Sequence, residues 1–95
     1  MKLDNYLNQD VTLKLKNKST LSGKLQKLFE SNVIDDIKTK TNFDRNRDKD
    51  NFVIICNDYI YVFGKKDAHI SHKKVITLDK FALLWRFENN LHEKN

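Results

Sequence analysis

The chain has 95 residues, of which 39% are apolar and 33% charged, and it carries a formal net charge of +5 with a pI near 9.4. One domain with a small core fits that length, while the absence of proline, the two glycines and the single cysteine argue against a low-complexity linker and exclude an internal disulfide. No apolar run approaches the roughly 20 residues of a membrane span and the N-terminus lacks a signal-peptide pattern, so a cytoplasmic protein is expected; its basic charge favours an anionic partner, although lysines on the solvent face of strands give the same charge without one.

In chain order, residues 1–8 read as a short amphipathic helix or turn, with Leu3, Tyr6 and Leu7 at helical spacing and Asp4 near its start. Val11, Leu13 and Leu15 then alternate with Thr12, Lys14 and Lys16, the period of a strand with one buried face, so Val11–Lys16 is predicted as a strand. Asn17-Lys18 supplies a turn, and a second strand runs from Thr20 to about Phe29. Gly23 lies inside it, where glycine marks a sharp bend, a bulge or a close backbone approach. The apolar parity shifts between Leu25 and Leu28, which predicts a bulge or a strong coil of the strand near Lys27.

After the polar connection Glu30-Ser31-Asn32, a third strand is expected over Val33–Thr41 with Val33 and Ile37 inward, although Asp35-Asp36 is a poor strand former. Residues 42–51 are charged and read as an exposed loop. Phe52–Cys56 is a continuous apolar run, of the kind buried on both faces or at a subunit contact. Asn57-Asp58 leads from it into the strand-forming run Tyr59–Phe63, so the pair forms either a hairpin or one kinked strand. Lys65–Asp67 is a turn, and another strand is centred on Val75–Leu78. From Asp79, a suitable N-cap, Phe81, Leu84, Trp85 and Leu91 share one helical face, which predicts a C-terminal helix over 79–92.

This order of parts resembles the Sm-like family over Leu3–Phe63. The stretches Val11–Lys18 and Leu21–Leu25 follow the family's first motif, and Ile54-Ile55-Cys56-Asn57-Asp58-Tyr59-Ile60 resembles its second. His69–Ile76 is a weaker echo of the bacterial Hfq-type members and ranks behind that placement. The resemblance implies a mainly β fold: a small five-stranded bent barrel of SH3 type over residues 1–64 with a short N-terminal helix. Residues 65–95 would then be a C-terminal extension, a strand or turn plus the extra helix, packed on the barrel. It further implies a ring-forming, non-enzymatic scaffold for single-stranded uridine-rich RNA, closed by pairing Phe52–Cys56 with a neighbour's Tyr59–Phe63. Two departures stand out: Cys56 replaces the family's RNA-contacting arginine and Asn57 its glycine, the latter tolerable because asparagine enters the left-handed region.

By the same resemblance, Phe29 would stack a base, Asn32 would read its edge, and Asn57 with Asp58 would wall the site, nearby lysines replacing the absent arginine. Gly23 is the structural residue that lets the second strand wrap. The plainer readings are a core or interface role for Phe29 and turn chemistry for Asn32 and Asn57. Cys56, His69 and His72 lack the four ligands of a tetrahedral metal site, and no phosphate loop, nucleophile motif or acid–base pair is present, so neither a cofactor nor an enzyme is expected. The competing function is a protein-binding adaptor or inhibitor on the same small barrel, encoded by a mobile element, with Phe81 and Trp85 of the C-terminal helix as anchors.

Overall fold

Alternating side chains decide most of the architecture, which was obtained as a computed structural model describing residues 2–15, 19–78 and 83–90. Seven strands form one sheet: β1 (Asp10–Lys14), β2 (Thr20–Lys27), β3 (Asn51–Ile55), β4 (Tyr59–Gly64), β5 (Ala68–Ile70), β6 (Val75–Leu78) and β7 (Leu83–Glu88). Their spatial order is β5-β6-β1-β2-β3-β4-β7, antiparallel throughout except that β6 runs parallel to β1. The molecule is thus β-rich as its patterning predicts; among the described residues four strands, not five, lie within 1–64, the strand expected at Val75–Leu78 is β6, and all seven join one sheet.

A single 3-10 turn, Leu3–Tyr6, precedes β1 and buries Leu3. β1 and β2 pair from Asp10↔Lys24 to Lys14↔Thr20, and the Leu15 N–H donates to the Ser19 carbonyl at the hairpin end. The expected turn at Asn17-Lys18 lies outside the described residues. β2 gives its first half to β1 and its second half, Lys24–Lys27, to β3.

Of the bulge or strong coil expected near Lys27, no bulge forms there: β2 pairs with β3 in unbroken register and then turns into a 3-10 turn, Leu28–Glu30, which accounts for the parity change. The bulge lies on the other side of β2. Asn8 N–H donates to Leu25 O at 2.7 Å while Leu25 N–H donates to Gln9 O at 3.1 Å, so two residues oppose one, with Asn8 at φ 65°.

β3 and β4 form a hairpin that is apolar on both faces. Phe52, Ile54, Tyr61 and Phe63 turn to an inner cluster with Leu13 and Leu25, whereas Val53, Ile60 and Val62 turn to an outer one. The outer cluster is covered by the segment between β2 and β3, where Val33–Thr41 is not a strand. Helix α1 (Ile34–Lys38) buries Val33 and Ile37, four residues apart on one helical face. Asp35 and Asp36, unfavourable in a strand, sit well in a helix's first turn, and Lys40 pairs with Asp36 at 3.1 Å. A second short helix, α2 (Arg45–Asp48), is capped by Asp44, whose carboxylate accepts the Asn46 N–H at 2.8 Å.

The C-terminal helix is also corrected over the described residues, since 83–88 form β7 on the edge of β4. Trp85 and Phe87 alternate with Arg86 and Glu88, and pairing to β4 lays both aromatic rings on the outer face opposite Val62 and Ile60. Tertiary pairing outweighs the helical propensity of Leu83 and Leu84. Phe81 lies outside the described residues. The strand pair expected to close a ring is joined within the chain: β3 lies between β2 and β4, and β4 between β3 and β7, so neither offers a free edge to a neighbour.

Gly23 serves close approach and not a special backbone angle, because its φ is not positive. A Cβ there would meet Ile54 Cγ2 at 2.7 Å, Cys56 Sγ at 2.8 Å and the Ile55 carbonyl at 2.8 Å. Two of these atoms belong to packed side chains and one to backbone, so a methyl group forces β2 away from β3. Gly23→Ala is expected to lower stability by about 1–3 kcal/mol, read as a lower denaturant midpoint at unchanged m-value.

Candidate nucleic-acid interface

The β3–β4 hairpin ends in Asn57-Asp58, closed by the Cys56 N–H donating to the Tyr59 carbonyl at 3.0 Å. Neither turn residue enters the left-handed region, which among described non-glycine residues holds only Asn8 and Lys74. Asn57 therefore replaces the glycine of the resembled motif without using positive φ. Both its side chain and that of Asp58 are exposed.

Two pockets flank this turn. One, of about 360 Å³, is lined by Lys24, Asn32, Asn57 and Asn89 over an apolar floor that includes Val33 and Ile55. The other, of about 470 Å³, lies between the two hairpin ends and brings Asn57 and Asp58 together with Ser19, Ser22, Tyr59 and Tyr61. The first thus joins Asn32 to Asn57, and the second joins Asn57 to Asp58. Phe29 lines neither: it is half-buried against the outer cluster, with the Arg45 guanidinium 4.9 Å above its ring.

Asn32 is held in place from beneath. The Gln26 side chain, buried on the outer face of β2, accepts the Asn32 N–H through Oε1 at 3.0 Å. Its Nε2 donates to Asn8 Oδ1, also at 3.0 Å. One amide thereby ties β2 to the bulge before β1 and to the start of the insert. Asn89 is fixed by two bonds: its N–H donates to the Asp58 carbonyl at 2.8 Å and its Nδ2 to the Cys56 carbonyl at 2.8 Å. Its Oδ1 is buried without a donor, an arrangement that costs about 1–3 kcal/mol. Lys24, Gln26 and Asn89 escaped sequence reasoning. The available signal for Asn89 was parity, since it continues Trp85 and Phe87 at a spacing of two.

Along the outer face from Asn89, Phe87 and Trp85 lie nearly parallel with ring centres 6.3 Å apart. Lys40 approaches the Phe87 ring at 5.8 Å and Phe43 meets Trp85 edge-on at 6.4 Å. Trp85 remains 47% exposed. On the opposite face, Arg86 sits 4.6 Å above the Tyr59 ring.

Cys56 packs in the inner cluster, and burial pushes its thiol up to about 11. Among the described residues, no group of three or more His, Cys, Asp or Glu side chains is placed to hold a metal ion. No family model, curated protein or solved structure matches the chain.

Two outcomes follow from these contacts. Gln26→Ala removes a buried bridge and leaves the Asn32 N–H without its acceptor, so a loss of about 1–2 kcal/mol in chemical denaturation is expected. Because the folded Cys56 thiol titrates above its unfolded value, the unfolded chain releases a proton first as pH rises from about 9 towards about 11. Folding stability is fully present below that window and falls within it. Relative to Cys56→Ala, the wild-type chain should lose stability across that range, in parallel denaturant titrations at each pH.

Proposed function

We propose that the protein is a non-enzymatic binder of single-stranded, uridine-rich RNA, with the pocket between Asn32, Asn57 and Asn89 as its base site. The observation that carries this reading is the convergence of three carboxamides and one lysine, from four separate segments, around an apolar floor. A carboxamide offers a donor and an acceptor side by side, which complements the N3–H and O4 edge of a uracil. Asn89 is buried and held on the Cys56 and Asp58 carbonyls, so it closes one wall of the pocket, while exposed Asn32 and Asn57 offer the amides that a base can reach. Val33 and Ile55 provide the apolar contact for the ring, and the Lys24 ammonium suits a phosphate.

The resemblance to Sm-like proteins supports the same ligand, with the cation supplied by Lys24 because Cys56 is buried and uncharged at neutral pH. The net charge of +5 adds a long-range attraction for RNA. Exposed Trp85 on an edge strand favours a protein contact in addition.

Fluorescence anisotropy with oligo-uridine and oligo-adenosine across a salt series tests the reading. Oligo-uridine is expected to bind more tightly, with affinity falling as salt rises. Asn32→Ala and Asn57→Ala, both at exposed positions, should each weaken it by about 3–10-fold. Lys24→Gln should reduce the salt slope by about 0.7, the value of one phosphate contact on a single strand. Absence of binding to either oligomer at low salt would overturn the reading.

A further inference from the structure

β7 is hydrogen-bonded along one edge to β4, and among the described residues no strand pairs with its other edge. It is six residues long, against three in β5 at the far end of the sheet, and carries neither proline nor lysine; its register on β4 shifts between Val62 and Phe63, so Trp85–Glu88 is the regular part of the edge. Trp85, the one large hydrophobic side chain strongly exposed among the described residues, lies on it.

Two copies of such an edge can join antiparallel about a two-fold axis normal to the sheet. That symmetry keeps each face continuous, so opposed residues must have the same parity. Centring on Arg86 sets two guanidinium groups against each other, and centring on Trp85 leaves Arg86 and Glu88 facing no opposite charge. Centring on Phe87 sets Arg86 of each copy against Glu88 of the other, twice by symmetry; both side chains are exposed, with Arg86 lying over the Tyr59 ring of its own copy. Opposite charges directly across a ladder are favoured and like charges disfavoured.

We propose that β7 is the contact between two copies of this chain, paired antiparallel about Phe87. The contact is isologous and closes at two copies, in place of the ring that the resemblance implies. In this register Asn89 of one copy stands opposite the partner's Trp85, with Cβ atoms about 5 Å apart. The partner thus brings an aromatic ring to the amide pocket, which has none of its own among its lining residues. That last consequence rests on the RNA reading; the dimer itself does not.

Sedimentation equilibrium of the full chain tests the contact. A dimer is expected at about 100 µM, weakened about tenfold by Glu88→Arg or by Arg86→Glu and restored in the double variant, which re-forms both pairs in reversed sense. Emission from Trp85, the only tryptophan, should shift to shorter wavelength as the dimer forms. A monomer at that concentration, single variants that associate like wild type, or a double variant as weak as the singles would each overturn the proposal. Anisotropy on the same samples separates the two readings. RNA binding by a chain that stays monomeric removes the interface and keeps the amide pocket; a charge-dependent dimer without RNA affinity keeps the interface and removes the pocket.

Discussion

The rest of the structure depends on a hairpin with no polar face to show to water. Phe52, Ile54 and Phe63 on one side and Val53, Ile60 and Val62 on the other are all essentially inaccessible. A two-stranded hairpin is marginal by itself, and one that is apolar on both sides requires two covers. Burial of each such side chain contributes about 1.5–3 kcal/mol, so neither cover can be dispensed with in a domain whose net stability is about 5–15 kcal/mol. The inner cover comes from β1, β2, β5 and β6, and the outer one from residues 28–43 and β7. The insert between β2 and β3 is therefore a structural necessity.

β2 meets both demands with residues of opposite character three positions apart. Gly23, on the inner face, supplies no side chain and lets β2 lie against Ile54 and Cys56. Gln26, on the outer face, supplies a long amide that reaches both Asn8 and Asn32. Exposed Asn32 is consequently not an independent loop residue, because its backbone is anchored to the strand that shapes the core. The close approach at Gly23 also sets how near Lys24 comes to Ile55 and hence to the pocket, so core packing and pocket width share one cause.

Legibility in the sequence followed the range of the interactions involved. Val11, Leu13 and the Phe52–Cys56 and Tyr59–Phe63 runs declare strands because a period of two, or an unbroken apolar run, is a local pattern. Val33 and Ile37 share a face in a strand and in a helix alike, and only the acidic start at Asp35-Asp36 favours the helix that forms. The segment from Leu83 to Glu88 carries both periods, and what decides between them is the waiting edge of β4, whose paired residues lie 20 to 29 positions away in sequence. Asn57 was visible as a turn residue, but its meeting with Asn32 depends on the register of β2 with β3. Gln26 and Asn89 were the least legible, since the value of a buried amide lies wholly in the partners that the fold delivers to it.

The placement of the aromatic strip has a thermodynamic consequence for the two proposals together. Phe87 and Trp85 lie on β7 and Asn89 directly follows it with the same parity, so the free edge and the amide pocket are neighbours. If the partner's Trp85 completes the base site, RNA that favours the paired state must strengthen pairing by the same factor by which pairing strengthens RNA binding. A ring stacked on the base is worth about 1–3 kcal/mol, which corresponds to a coupling of about 5–150-fold. Edge pairing of modest intrinsic strength would then suffice, because ligand and partner stabilise each other, and the outer edge of β7 would be closed when RNA is bound.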